Sequence, residues 1–317
     1  MKRQRGAALL LAMLTVALVA TLASAALWRQ WRNIEVERNE RAQVQASWVL
    51  GGALDWARLI LREDARASGS DHLGEPWAVV LQESRLSSFL AIDRQNTGDA
   101  DDVFLSGRIV DAQGRMNVRN LIADGKVSEP DQLAFARLFE LLGLETSELD
   151  TMVEQLLLAT SVAPDTVDKP VAQLRPRRLE QLQWLGLSAA SLLILQPHLV
   201  LLPARTPLNL NTASAEVIAA SIAGLELAQA RKLVSARDRA PLRNLADAQK
   251  ELPADAAALS ASQFSVATRY FEVHGRLRME HLVVEERSLL DRNGLGVFVV
   301  WRERIAPIGT GAAPVGR

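Results

Sequence analysis

The feature that most constrains this chain lies at its start. Lys2, Arg3 and Arg5 precede an unbroken apolar run from Ala7 to Trp28, and Arg29 closes it. In a helix, at ~1.5 Å per residue, such a run covers the ~30 Å hydrocarbon core of a bilayer. Everything after Arg29 is mixed and water-compatible, so one membrane segment and one large domain beyond it are expected. The formal net charge of the 317 residues is −1, and no polybasic patch stands out, so composition gives no general pull toward nucleic acid. The absence of cysteine excludes disulfides and thiolate metal sites. The Leu/Ala-rich composition leans helical.

The N-terminus supports three readings. Lys2, Arg3 and Arg5 could form the n-region of a Sec signal peptide, with Ala23-Ser24-Ala25 as its small-x-small cleavage site and Ala26 as the mature start. The segment could also be a plain uncleaved anchor. The third reading rests on Gly6. A short basic leader ending in Gly and running straight into a long apolar helix resembles the type III signal of type IV pilins and type II secretion pseudopilins. That resemblance implies a membrane peptidase that cuts after Gly6 and methylates Ala7, leaving the helix first as anchor and later as packing core. The apolar run is longer than a usual Sec h-region. Its helical pattern continues past Ala25 through Trp28, Trp31 and Ile34 to Trp48, Leu54, Trp56 and Ile60 without a proline. Most pilins carry Glu at the fifth mature position, where this chain has Leu11. A carboxylate there is costly in lipid unless paired. In the family it pairs with the amine of the neighbour nearer the tip, so its absence suits a tip subunit.

Residues 29–66 read as a charged amphipathic helix, ended near Ser68–Asp71. Trp77–Leu81 is a short apolar piece, either a helical turn or a strand. Phe104–Val110 alternates as a strand, Asp111–Gly114 is a turn, and Arg115–Asn120 a second extended piece. Helical spacing then takes over. It covers Pro130 to Gly143, Glu148–Ala159, Arg178–Leu185 and Ser188–Gln196, with Asn211 or Thr212 as the N-cap of Ala213–Ile222 and Glu216 placed for a capping contact. Alternation returns from Gln263, with Asp291–Gly294 as a hairpin signal.

The phrase G-R-I-x-D-x-x-G-R-x-N-x-x-N-L at Gly107–Leu121, with N-L-N-T-A at Asn209–Ala213, resembles the minor pseudopilin K family of type II secretion systems. The fold expected is α+β. A pilin-like long N-terminal helix packs on an antiparallel sheet, with a large all-α domain, SAM-like or helix-hairpin-helix-like, inserted between strands. The domain limits are a leader at 1–6, a transmembrane helix at 7–28 and its periplasmic continuation at 29–67. A discontinuous pseudopilin domain follows at 68–121 and 262–305, around a helical insert at 122–261, with a loose tail at 306–317. The resemblance implies a non-enzymatic subunit that caps or initiates the pseudopilus tip. Its partners would be minor pseudopilins I, J and H, a prepilin peptidase, the inner-membrane secretion platform and exported proteins. It would sit in the bacterial inner membrane as a single-pass protein, N-terminus cytoplasmic and C-terminal domain periplasmic.

The sequence offers no nucleophile constellation, G-x-S-x-G or P-loop. His72, His198, His274 and His281 are scattered and read as surface or sheet residues. Asp93, Asp99, Asp101 and Asp102 supply hard oxygens suited to calcium, without EF-hand spacing. The competing function is a membrane-anchored DNA receptor. Residues 213–237 resemble a helix-hairpin-helix module, but the hairpin Ala223-Gly-Leu-Glu-Leu227 lacks a second glycine, and Glu226 stands where phosphate would sit.

Overall fold

A computed structural model describes residues 4–86, 103–161, 174–254, 256–279 and 282–305. Helix α1 runs unbroken from Gln4 to Ala67, through Gly51 and Gly52. From Ala8 to Gln45 none of its side chains is buried. From Ala46 on, Ala46, Leu50, Leu54, Ala57 and Leu61 recur every three or four residues and form one buried face. The helix therefore has a naked half and a half embedded in its own domain.

The embedded face lies on a five-stranded antiparallel sheet of β1 (Leu81–Arg85), β2 (Val103–Asp111), β9 (Tyr270–Met279), β10 (Leu282–Asn293) and β11 (Gly296–Ile305), in that spatial order. The numbering gap between β2 and β9 marks the insertion. A 3₁₀ turn at Pro76–Ala78 precedes β1 and places Trp77 edge-on to Phe271, ring centroids 5.2 Å apart. Among the described residues, six two-residue strands lie between β2 and β9: β3 (Met116–Asn117), β4 (Ile122–Ala123), β5 (Lys126–Val127), β6 (Leu199–Val200), β7 (Leu208–Asn209) and β8 (Phe264–Ser265). The same region holds helices α2 (Glu129–Leu141), α3 (Thr146–Ser161), α4 (Ala189–Leu195), α5 (Ala215–Ser221), α6 (Leu227–Arg239) and α7 (Leu245–Lys250). One large core fills it, from Met116 to Val266, with Phe135, Leu138, Met152, Leu195, Ile218 and Leu233 all but inaccessible.

The sheet is covered on both sides. Leu54, Leu61, Trp77, Phe271 and Leu290 form one cluster under α1, and Ala46, Leu50, Leu105 and Leu277 form another. On the opposite face Ala112, Val200, Leu202, Tyr270 and Leu289 join the sheet to the helical region. A β-bulge at Val300, between the pairs Leu290↔Val299 and Leu289↔Trp301, switches faces along β11. Val297 points at the α1 cluster, and Trp301 packs on the other side.

Several local expectations need correction. The extended piece at 115–120 shrinks to Met116–Asn117, followed by a 3₁₀ turn at Val118–Leu121. Leu179–Leu185 is 3₁₀ rather than α, ended by Gly186 at φ 100°. The hairpin turn falls at Gly294-Leu295, because β10 extends through Asn293, which pairs with Gly296. The helix after N-L-N-T starts later than expected. Its N-cap is Ser214, whose Oγ accepts from the Val217 N–H, and not Asn211 or Thr212. Those two side chains are engaged elsewhere.

Candidate functional site

Two regions carry the chemistry of this molecule: the flank of α1 and the junction of sheet and helical region. On the flank, an apolar groove of about 550 Å³ lies between α1 and the β1–β2 side of the sheet. Trp48, Trp56 and Ile60 line it from the helix, and Val79, Val80 and Leu86 from the opposite wall. Trp48 is 79% exposed and Trp56 51%, far more than tryptophan in a finished interior. Gly107 and Gly275, directly opposite each other in β2 and β9, form part of its floor. A Cβ at Gly107 would meet the His274 carbonyl oxygen at 2.7 Å, and one at Gly275 would meet Leu50 Cδ2 at 3.1 Å. The absent side chain at Gly275 makes room for Leu50, so α1 packs close to the sheet there.

At the junction, the two sequence motifs meet. Asp111 is buried at the end of β2, and its carboxylate accepts from Asn209 Nδ2 (2.8 Å), Thr212 Oγ1 (2.6 Å), Thr268 Oγ1 (2.6 Å) and the Gln113 N–H (2.7 Å). Burial lifts this carboxyl above its ordinary value, against the pull of the hydrogen bonds from Thr212, Thr268, Asn209 and Gln113. Asn209, fully buried, also donates to the Asp71 carbonyl and to Thr268 Oγ1. Gln113 donates to the Pro207 carbonyl and accepts from the Arg269 and Tyr270 N–H groups. Asn117 and Asn120 act like strand edges. Asn117 accepts from Leu202 N–H and donates to the Ala204 carbonyl, while Asn120 pairs with both backbone groups of Thr206. Asn211 does the same with Leu242. Gly114 is required because a Cβ there would lie 2.8 Å from Thr212 Oγ1.

Beside this network lies an ionic knot. Arg292 donates to Asp64 Oδ2 (2.9 Å), to the Asp71 carboxylate and to the Thr268 carbonyl (2.8 Å). Burial, then the charges of Glu75 and Asp71, push the Asp64 carboxyl up to about 6, although Arg292 pulls the other way. Glu75 accepts from the His72 N–H and Trp77 Nε1. Asp64, Asp71 and Glu75 stand close enough to share a cation. The Arg292 guanidinium already bridges Asp64 and Asp71 and offsets part of their charge.

The calcium residues expected from sequence, Asp93, Asp99, Asp101 and Asp102, lie outside the described residues, as does the tail at 306–317. So does His281; His72, His198 and His274 are half-buried and stand apart from one another in the loop after α1, before β6 and on β9. Leu11 is exposed on the naked half of α1. Gly6 and Ala7 lie within α1. In the helix-hairpin-helix-like segment, Gly224 takes φ 78° in the turn and Glu226 caps α6, so a carboxylate occupies the helix N-terminus.

The family model described as type II secretion system (T2SS), protein K, matches residues 208–267, which run from Leu208 of the junction to its last loop. A type II secretion system protein K of Pseudomonas aeruginosa is 28% identical over 99% of this chain and 93% of its own length. Its counterpart from Klebsiella pneumoniae is 29% identical over 95% of this chain and 96% of its own. The chain is a relative of type II secretion system protein K. The fold agrees. A chain in the crystal structure of the GspK-GspI-GspJ complex from enterotoxigenic Escherichia coli superposes with a TM-score of 0.61, at 15% identity, over 85% of this chain and 99% of that one.

Proposed function

We propose that this protein is a non-enzymatic minor pseudopilin that caps or initiates the tip of a type II secretion pseudopilus, together with minor pseudopilins I, J and H. The observation that carries this reading is the division of α1. Its first half is apolar and wholly uncovered, while its second half is fixed to the sheet along a single face. A helix built this way is held by lipid at one stage and by neighbouring helices at another. Trp48 and Trp56 continue the uncovered stripe down to the groove, which extends the surface offered to partners. The helical region is supported by a core of its own and adds bulk on one side, which suits an end subunit better than a repeating one.

Processing after Gly6 by a prepilin peptidase would expose Ala7 for methylation and place Leu11 fifth, without the carboxylate used to bind a subunit above. The secretion platform and exported proteins complete the expected partners, in an inner-membrane, single-pass arrangement with the C-terminal domain in the periplasm. The test is the mass and N-terminal sequence of the mature protein made together with a prepilin peptidase. A methylated start at Ala7 supports the assignment, and a start at Ala26 replaces it with a Sec-exported protein. Calcium at Asp93, Asp99, Asp101 and Asp102 belongs to the same proposal. Titration calorimetry with Ca²⁺ that gives no heat removes it. The DNA-receptor reading is disfavoured by Glu226 at the start of α6.

A further inference from the structure

A second cleft, of about 430 Å³, lies between the sheet and the helical region. Strand β11 forms one flank from Val300 to Glu303, and residues 176–180 and 199–203 form much of the opposite wall. Among the described residues, six arginines line it against three glutamates. The glutamates are already engaged: Glu272 with Arg115 at 2.8 Å, Glu303 with Arg178 at 3.1 Å and Arg287 at 2.6 Å, and Glu180 with Arg287 at 3.8 Å. Arg302 turns away to Glu286. Among the described residues, no carboxylate pairs with Arg119 or Arg177. Arg119 Nε reaches only the Leu202 carbonyl, at 3.5 Å, and Nε of Arg115 is buried with no hydrogen-bond partner among them. Burial and the nearby charge of Arg175 both press the Arg119 guanidinium below its usual pKa, the mark of crowded cations without a counterion.

The walls between these cations are apolar, with Leu179, Val200, Leu202, Pro203 and Trp301. Strand β11 is the outermost of its sheet, so one edge of its backbone pairs with no other strand among the described residues. We propose that this cleft binds an acidic polypeptide segment. Its carboxylates seat on Arg119 and Arg177, its apolar side chains lie against Leu179 and Trp301, and its backbone follows the free edge of β11. Forked guanidinium groups match carboxylates, and an edge strand supplies main-chain hydrogen bonds to an extended chain. A free inorganic anion would use the arginines but leave the apolar walls and strand edge uncovered, so the segment is the better fit. This assignment is independent of the tip role.

The test uses the full chain in an uncharged detergent and reads the fluorescence anisotropy of a labelled, N-acetylated peptide of alternating Glu and Leu. Micelles alone and the Gln/Leu counterpart serve as references. The Glu peptide is expected to bind, and the counterpart about tenfold more weakly or less. Arg119→Ala and Arg177→Ala should each weaken binding about tenfold, while Arg231→Ala, an equal loss of charge on α6, should leave it unchanged. Arg177 is exposed, so its variant keeps the reading separate from folding. Inorganic phosphate binding as tightly as the peptide would make this a small-anion site and overturn the proposal. Absent peptide binding, or equal loss in Arg231→Ala, would overturn it as well.

Discussion

At the scale of single residues, the polar junction is where this fold is most vulnerable. Asn209 is fully buried, and its amide donates to a carbonyl, a carboxylate and a hydroxyl at once. Asn209→Ala leaves all three acceptors in a space closed to water, at about 2–4 kcal/mol of stability. Denaturant unfolding of the full chain measures it, and a loss below about 1 kcal/mol would show that the acceptors find other donors. The carboxyl groups give the pH dependence a sign. Asp64, lifted to about 6, and Asp111, also lifted, hold protons in the folded state at pH values where the unfolded chain has released them. Their contribution is therefore full at low pH and is lost as pH rises through the folded value. Glu272 is the opposite case. Burial works against its charge, but His274, Arg115 and Arg287 win and hold it at about 2, so its contribution exists above its ordinary 4.5 and is lost as pH falls toward 2. The melting temperature should therefore fall between pH 5 and pH 7, and Asp64→Asn should flatten that slope. A slope unchanged in the variant would assign the titration to another group.

At the scale of elements, the broad plan was legible in the sequence, and the reason is local. The apolar face of α1 from Ala46 to Leu61 repeats at helical spacing, and β9 alternates apolar and polar residues from Phe271 to Met279, so each element announces its own period. The Asp111-to-Asn120 and Asn209-to-Thr212 motifs were visible as patterns, but their purpose was not. Their partners lie roughly a hundred residues away along the chain, as in Asp111 with Asn209 and Thr212, and no local period encodes such a pairing. For the same reason Asn211 looked like a helix cap. Its amide is instead paired with the backbone of Leu242, and Ser214 took the capping role. The glycine pair under α1 was equally silent, because Gly107 and Gly275 meet only across β2 and β9. Two variants, one of them double, separate shape from surface there. Gly107→Val drives a side chain into the His274 carbonyl and should cost about 1–3 kcal/mol. Trp48→Ser and Trp56→Ser alter exposed positions and should change stability by no more than about 0.5 kcal/mol, yet weaken co-purification with minor pseudopilins I and J. Co-purification unchanged in the double Trp variant would remove the groove from the assembly surface.

At the scale of the whole molecule, the insertion is fastened to the sheet by side chains rather than by a simple pair of linkers. That changes what a deletion can report. Removing residues 122–261 takes away Asn209, Thr212 and the Pro207 carbonyl together, and with them the Val200 and Leu202 side chains that cover Ala112, Tyr270 and Leu289. The plain deletion should still enter the membrane through α1. Its sheet should be destabilised by about 2–5 kcal/mol through the uncovered apolar face and the lost hydrogen bonds, and protease should then cut it faster than the intact chain. Loss of secretion in that variant says nothing specific about the insertion. The informative comparison adds Tyr270→Thr and Leu289→Thr to the deletion, replacing apolar side chains newly exposed to water by polar ones that suit a strand. If the compensated deletion regains protease resistance and still fails to support secretion, the helical region acts beyond supporting the sheet. Recovery of secretion along with resistance would reduce the insertion to a structural brace and leave the tip role to α1 and the groove.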